Sequence, residues 1–409
     1  MGLPKDDLSP SRIGTQALLR LLASLCLVMM ASTGLRGQAD AGEWSAEPSL
    51  SVKGEYNSNL LLLNGNNEVW GDWVIPKMKF KGATESLEVE GNAKGEFIHY
   101  YGSQDRGLTN MYFPIRTSYR LDRFAFGFDG GFTRDNTLMG ELRQTGVVLS
   151  FTQRNLWTAA PSLTIGLTER LSWQLGYLLL DASYENGRSL GLVNYQVNGG
   201  TSKLSYNVRE RSQIQITGDL VNFVAPDIDQ TWTYYGAGIG LSHNVSKSLV
   251  LTVSGGVRFI DTTQGLSSGS VSQSDVVWVY NASMKKEFER STILLDGSSE
   301  VNPSGFGRLI QTDRVGGAIS HNVTEDLTAS LIGGFYFVST IATVSGQSSV
   351  ETRYASVSPK LSWKFGQWWT LDVGYSYAER AIDGLNQWNF ANSTFVMLTY
   401  GGQKWSVSR

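Results

Sequence analysis

The sequence predicts an all-β protein: a single closed antiparallel transmembrane β-barrel of about 18 strands, with 16 as the other possible number. Three observations predict it. Apolar and polar residues alternate from residue 49 almost to the end of the chain. Tight polar turns recur about every 40 residues along that stretch. No apolar run reaches the roughly 18 residues of a transmembrane helix, and in hydrocarbon a sheet pairs all its backbone groups only when it closes.

The composition suits strands that face something other than water. Charged residues make up 17% of the chain, against roughly 25% in ordinary soluble domains. The chain holds 45 Gly, and aromatic residues make up 11% of it. Its net charge is −3, so no basic surface points to a nucleic-acid partner.

The first segment has the pattern of a secretory signal peptide. Basic residues precede an apolar core at 21–31, and Ala39-Asp40-Ala41 offers a cleavage site with small residues. We therefore expect residues 1–41 to be a signal peptide and residues 42–409 to form the barrel. The only cysteine, Cys26, lies in the removed part, so no disulfide is expected in the mature chain.

The clearest strand runs from Leu87 to His99. Its two faces differ, because successive side chains of a strand point to opposite sides. The apolar face carries Leu87, Val89, Gly91, Ala93, Gly95 and Phe97, and the charged face carries Glu88, Glu90, Asn92, Lys94 and Glu96. We expect the face of Val89 to contact lipid and the face of Glu90 to line the lumen.

The connections alternate between tight turns and longer loops. The tight turns fall near 81–86, 118–124, 166–171, 205–212, 242–249, 286–290, 320–327 and 362–368. The longer loops fall near 63–68, 102–107, 135–145, 186–192, 224–230, 262–274, 302–308, 341–350 and 380–387. Nine loops and eight turns imply 18 strands, with short periplasmic turns and longer extracellular loops.

Two other folds fit part of this pattern. A soluble β-sandwich would use the aromatic residues as core, and a repeat near 40 residues also suits propeller blades. A blade, however, needs four short strands and several turns in each repeat. Aromatic residues such as Trp173, Trp363 and Trp369 stand beside the tight turns, where a barrel has an interfacial girdle. The last strand either ends near Tyr400 with a short tail or continues to Trp405.

Charged residues on the predicted inner faces are the candidate functional residues. The predicted lumen-lining set is Glu88, Glu90, Lys94, Glu96, Arg116, Arg120, Asp129, Asp219, Arg258, Asp296, Lys360 and Asp372. Opposite charges on neighbouring strands form either a constriction field across a pore or ion pairs along its wall. The second interpretation is favoured, because adjacent strands bring the groups within reach.

Nothing in the sequence predicts an enzyme. The three histidines are His99, His243 and His321, and the last two occupy the same place in a repeated Ser-His-Asn-Val turn. A residue repeated at equivalent turns fits a structural role better than catalysis. We therefore predict no catalytic residue, no metal site and no cofactor.

Three stretches carry a family resemblance: Gly54-Glu-Tyr-Asn-Ser-Asn-Leu60, the hairpin from Pro161 to Tyr177, and Asn392-Ser-Thr-Phe-Val-Met-Leu-Thr-Tyr400. With them the chain resembles a family of outer-membrane β-barrel porins found beside exosortase and exopolysaccharide gene clusters. The resemblance implies a pore or an export channel in the bacterial outer membrane. It supplies no residues to carry over.

Two functions follow as hypotheses. The first is a porin-like outer-membrane channel, or an export pore for exopolysaccharide, since barrels of 16 to 18 strands leave an aqueous channel. Its partners would be outer-membrane lipid, small hydrophilic solutes or polysaccharide, and periplasmic proteins of an export system. The alternative is a structural docking barrel with a blocked lumen that anchors partner proteins. Loops no longer than about 15–20 residues favour the open lumen.

Overall fold

The alternating sequence forms long antiparallel strands along most of the chain. The computed structural model describes residues 42–408, apart from 66, 104, 138–151, 267–268, 342–350 and 383–386. The predicted signal peptide, residues 1–41, lies outside the described residues, as does most of the predicted loop at 135–145. No helix in the described ranges is long and apolar enough to cross a membrane.

The described chain contains nineteen strands and two short 3-10 turns, at Gly187–Leu190 and Pro226–Ile228. The strands are β1 Glu43–Asn57, β2 Val69–Ala83, β3 Leu87–Gly102, β4 Arg106–Arg120, β5 Phe124–Asn136, β6 Gln153–Gly166, β7 Leu171–Tyr184, β8 Tyr195–Arg209, β9 Ser212–Ala225, β10 Gln230–Ser246, β11 Leu249–Leu266, β12 Gly269–Glu287, β13 Ser291–Pro303, β14 Leu309–Asn322, β15 Leu327–Thr340, β16 Thr352–Phe365, β17 Trp369–Ile382, β18 Gln387–Gly401 and β19 Trp405–Ser408.

The sheet closes on itself through β1. The strands β1 to β18 pair antiparallel with their neighbours in sequence order, and β1 pairs with β2 on one side and with β18 on the other. The short β19 pairs with β1 from Ala46↔Trp405 to Glu43↔Ser408, in line with β18. The closed antiparallel barrel of 18 strands is therefore confirmed. The last strand continues past Tyr400 after a break at residues 402–404.

The tight turns and the loops lie at opposite ends of the barrel, here called the turn end and the loop end. All eight predicted tight turns join consecutive strands at the turn end, together with both termini of the described chain. Two predicted loops differ most in extent. β1 and β2 are joined by 58–68 rather than 63–68, and β11 and β12 by 267–268 rather than 262–274. Most of the stretch 262–274 instead continues the ladder, with Thr262 opposite Gln273, because threonine and valine favour strands.

The outer side of the barrel is apolar and unpacked. Trp278 is 73% exposed and Ile239 is 62% exposed. A continuous apolar surface of this kind marks a region that contacts another molecule or a membrane rather than water. Val89 lies on this outer side as predicted, opposite Gly82 and Thr117. The inner side carries the charged residues and two buried apolar clusters. Along most of the wall the strands therefore present an apolar face outward and a charged or packed face inward.

Candidate functional site: the lumen and its loop end

The twelve predicted lumen-lining residues all lie on the inner side of their strands. On β3, for example, Glu88, Glu90 and Glu96 share the side of Ile98 and Tyr100, which are buried inside the barrel. Phe97 lies on the opposite side and is 51% exposed. Residues directly opposite each other on neighbouring strands point to the same side of the sheet. The pairing registers therefore identify the inner side of each following strand.

Near the turn end, ion pairs join neighbouring strands along the inner wall from β2 to β5. Glu88 lies 3.1 Å from Lys81 Nζ and 3.8 Å from Arg120 Nη2. Glu90 lies 3.7 Å from Arg116, whose Nε donates to Asp129 at 2.9 Å. Opposite charges of neighbouring strands therefore lie within ion-pair distance along this part of the wall. All these side chains are substantially exposed, so each pair contributes on the order of 1 kcal/mol or less.

The remaining predicted residues are paired in the same way. Lys94 pairs with Glu96, which also accepts a hydrogen bond from Asn110 at 3.0 Å. The other three pairs are Arg258–Asp219 at 3.3 Å, Arg314–Asp296 at 3.2 Å and Lys360–Asp372 at 3.7 Å. Sequence reasoning missed Lys81 and Arg314 as partners. The predicted residues are thus mostly paired with an opposite charge on the same or a neighbouring strand, whereas β2 also carries Lys77 and Lys79 on its inner side.

At the loop end, the connection between β13 and β14 crosses the mouth of the barrel. The N–H of Val193, from the loop after β7, donates to the carbonyl of Gly305 at 2.8 Å. Gly307 has a φ of +71°, and a Cβ there would stand 2.5 Å from Ile228 Cδ1. The tip at 304–308 is therefore packed closely against the loops that follow β7 and β9.

A break in the wall accompanies this crossing. β12 and β13 pair only from Glu287↔Thr292 to Tyr280↔Ser299, although β12 continues to Gly269 and β13 to Pro303. Beyond the break, the parts of β13 and β14 nearest the loop end leave the wall and turn into the lumen. Val301 and Leu309 lie on the outer side of these strands, yet they are 5% and 1% exposed.

The turned-in hairpin is held by a hydrophobic cluster inside the barrel. The cluster joins Val301 and Leu309 to the inner sides of β7–β12. Its members from that wall include Ala182, Tyr195, Val197, Val221, Phe223, Trp232, Ile260 and Val277. Each large buried apolar side chain is worth about 1.5–3 kcal/mol relative to exposure, so this packing is the main force that holds the hairpin in the mouth.

The loop between β1 and β2 enters the lumen on the other side of the barrel. Leu60, Leu61 and Leu62 are 3–7% exposed and pack in a second cluster that contains Trp73 and Tyr100. Arg380, which is fully buried, donates from Nη2 to the carbonyl of Leu62 at 3.0 Å. Beneath this loop lies a cavity of about 270 Å³. Sequence reasoning missed this inward fold, although four consecutive leucines at 60–63, just before and at the start of the predicted connection 63–68, are a usable signal.

An exposed ion pair joins two loops at the same end. Arg188 Nη2 lies 2.7 Å from Asp227 Oδ1, and the N–H of Asn194 donates to Asp227 Oδ2 at 3.1 Å. The Arg188 guanidinium first, and the Asn194 N–H second, hold the pKa of the Asp227 carboxyl below its ordinary value. The pair ties the loop after β7 to the loop after β9.

The histidines behave as repeated structural residues. His243 Nδ1 lies 2.8 Å from Ser212 Oγ, and His321 Nδ1 lies 2.8 Å from Ser291 Oγ. Each pair joins the start of one strand to the end of the next strand at the turn end. In the described ranges, no carboxylate stands within 4.0 Å of either ring to complete a triad. Those ranges also hold no group of three or more His, Cys, Asp or Glu placed to bind a metal ion.

This protein resembles known proteins in its fold only. No family model matches the sequence, and no curated protein matches it. Among solved structures, Pseudomonas aeruginosa OccK2 (OpdF) in complex with glucuronate is 10% identical with a TM-score of 0.46, covering 88% of this chain and 98% of that chain. OpdK with vanillate, from the same organism, is 12% identical with a TM-score of 0.44, covering 88% and 99%. At these identities no residue of those proteins is assigned an equivalent here.

The geometry itself defines the class of protein. A closed antiparallel barrel of 18 strands with an apolar outer side and a charged inner side is a transmembrane β-barrel. Barrels with this even strand number, short turns at one end and longer loops at the other belong to the bacterial outer membrane.

Proposed function

We propose that this protein is an outer-membrane channel for small hydrophilic solutes. The observation that carries the proposal is the inner wall of an 18-stranded barrel, which is lined by charged side chains and ion pairs that keep it polar. Barrels of this strand number are wide enough for an aqueous lumen. The inward-folded β13–β14 tip and the leucine loop narrow that lumen at the extracellular end, which favours small solutes.

An export pore for an exopolysaccharide is the second candidate, in keeping with the family resemblance. The observation that favours it is the inner wall around β10 and β11, where glycines and hydroxyl side chains replace bulky groups. A polymer would require the β13–β14 tip to swing out of the mouth. Periplasmic proteins of an export system would then meet the turn end.

A docking barrel with a blocked lumen is the third candidate. The two apolar clusters at the loop end favour it, because they fill part of the interior with packed side chains. In that case the extracellular loops would bind partner proteins, and the lumen would carry no solute.

One experiment separates the three candidates. Purified protein is reconstituted in liposomes, and swelling is measured in glucose and in neutral polyethylene glycols of increasing size. Rapid swelling in glucose with a sharp upper size limit supports the small-solute channel. Passage of large polymers supports the export pore. No swelling in glucose, with correct insertion, contradicts both channels and favours docking.

We also propose that residues 1–41 are removed on export and that residues 42–409 form the mature barrel. The position of β1, which begins at Glu43, supports this division. Amino-terminal sequencing of protein extracted from outer membranes tests it. A mature chain beginning near residue 42 is expected, and a retained apolar segment would contradict it.

A further inference from the structure

The inner side of β10 carries glycine at three successive inward positions, Gly236, Gly238 and Gly240. Gly256 on β11 adjoins them. Their close packing requires glycine: a Cβ at Gly256 would stand 2.5 Å from the carbonyl of Ala237, and one at Gly238 would stand 2.9 Å from Thr217 Oγ1. The backbone therefore forms the floor of a recess in the lumen wall with a volume of about 240 Å³. That volume is several times the roughly 30 Å³ of one water.

Polar side chains from neighbouring strands line this glycine-floored recess. Gln215 and Thr217 come from β9, Ser254 comes from β11, and Asn281 comes from β12. Across the described chain, Thr217, Ser254 and Asn281 have no protein partner for their side-chain hydroxyl or amide groups. These groups supply both donors and acceptors at the wall of the recess.

Charged side chains border the recess on the side nearest the loop end. Asp219 and Arg258 approach each other across Gly236, where a Cβ would stand 3.0 Å from both side chains. Although their charged atoms are 3.3 Å apart, Asp219 Oδ2 and Arg258 Nε are buried without a hydrogen bond. Glu300, from the start of the turned-in part of β13, also borders the recess. Two carboxylates against one guanidinium leave an excess of negative charge.

We propose that the glycine-floored recess binds one uncharged, hydroxylated sugar ring during its passage through the lumen. This inference rests on the proposed channel and names its class of solute. The flat backbone floor admits a ring that side chains would exclude. Thr217, Ser254 and Asn281 pair with ring hydroxyls, which both donate and accept. The carboxylates of Asp219 and Glu300, which border the recess, accept further hydroxyls. The excess of carboxylates disfavours a sugar acid.

The test measures reduction of single-channel current by glucose in planar bilayers. The variant is Thr217→Val combined with Ser254→Ala, which removes two hydroxyls with little change of volume. The matched control is Thr370→Val combined with Ser356→Ala, which removes the same groups from the inner sides of β17 and β16. We expect glucose to reduce the wild-type current at a lower concentration than glucuronate does. The half-blocking glucose concentration should rise on the order of tenfold in the recess variant, since two neutral hydrogen bonds are lost. It should stay unchanged in the control.

The outcomes separate the recess from the channel. A channel that conducts but shows no block by glucose, or an equal effect of both double variants, overturns the recess and leaves the channel standing. If the wild type does not conduct, the channel fails. The recess is then decided by equilibrium dialysis of radiolabelled glucose against the detergent-solubilised barrel. Binding that the recess variant weakens and the control variant keeps supports the site, and no binding overturns it.

Discussion

The backbone N–H of Val193 donates a hydrogen bond of 2.8 Å to the carbonyl of Gly305, across the loop end of the barrel. Val193 follows β7, whereas Gly305 lies at the tip between β13 and β14. Their contact means that a hairpin from one part of the wall reaches the loops of another. Because β12 and β13 do not pair beyond Tyr280↔Ser299, the part of the β13–β14 hairpin nearest the loop end can bend away from the wall. The width of the mouth therefore depends on how firmly the tip is held.

Loosening the tip should widen the mouth. Gly307→Ala places a Cβ against Ile228 and Val193, in addition to the backbone strain of a positive φ. Gly191→Ala is a matched control, because Gly191 has a φ of +72° but open space around it. We expect Gly307→Ala to raise single-channel conductance or its fluctuations well above those of Gly191→Ala. Equal behaviour of the two variants would show that the tip does not limit the current.

The contact between Arg188 and Asp227 should depend on pH. Because the pKa of Asp227 is lowered in the folded protein, the contact stabilises the loops fully above the ordinary carboxyl pKa. That stabilisation is lost as the pH falls through the lowered value. Hydrogen exchange of the amides at 187–194, corrected for intrinsic rates, should accelerate in that acidic range. Asp227→Asn should accelerate it already at pH 7, whereas Asp261→Asn, on β11, should not. Unchanged protection in Asp227→Asn would contradict this account of the contact.

The ion pairs of the wall should set the weak charge preference of the channel. Replacing Glu88 and Glu90 together with glutamine leaves Lys81, Arg116 and Arg120 in excess near the turn end. The reversal potential in a salt gradient should then shift toward anion preference, most clearly at low ionic strength, where the Debye length exceeds roughly 10 Å. Lys81→Gln with Arg120→Gln should shift it the other way. Shifts of one sign for both pairs would mean that these residues do not border the ion path.

The assignment of the two faces can be tested on adjacent residues of β11. Val253, which is 56% exposed on the outer side, lies in the lipid-facing belt. Val253→Arg should cost roughly 2–4 kcal/mol if this position lies near the bilayer midplane. Thr252→Arg, one residue away on the inner side, should cost far less. Urea titrations of folding into lipid vesicles measure both. Equal costs would contradict the assigned register.

The strands and turns were predictable because they depend on local pattern. Alternation places Glu88 and Glu90 on one side of β3, and closure of the barrel makes that side the inside. Ion pairing between the glutamates of β3 and the arginines of β4 could also be expected, since residues of neighbouring strands oppose one another at a fixed spacing. These inferences need only the period of a strand and the requirement that backbone groups be paired within lipid.

The narrowed mouth was not predictable in the same way. The inward turn of Val301 and Leu309 depends on packing against residues from six other strands, and no local period records such contacts. The continuation of β11 through Thr262 was missed because its polar residues resemble a loop. The glycines of β10 were visible in the sequence as Gly236, Gly238 and Gly240. Their position as the floor of a recess depends on the neighbours that register brings beside them.

The central claim is that solutes pass through this barrel, and single-channel recording in planar bilayers tests it most directly. The full-length mature protein should insert and give discrete conductance steps with weak ion selectivity. Heat-modifiable migration on a denaturing gel and β-type circular dichroism would confirm that the inserted protein is folded. Folded, inserted protein that never conducts would contradict the channel and leave the docking barrel in its place.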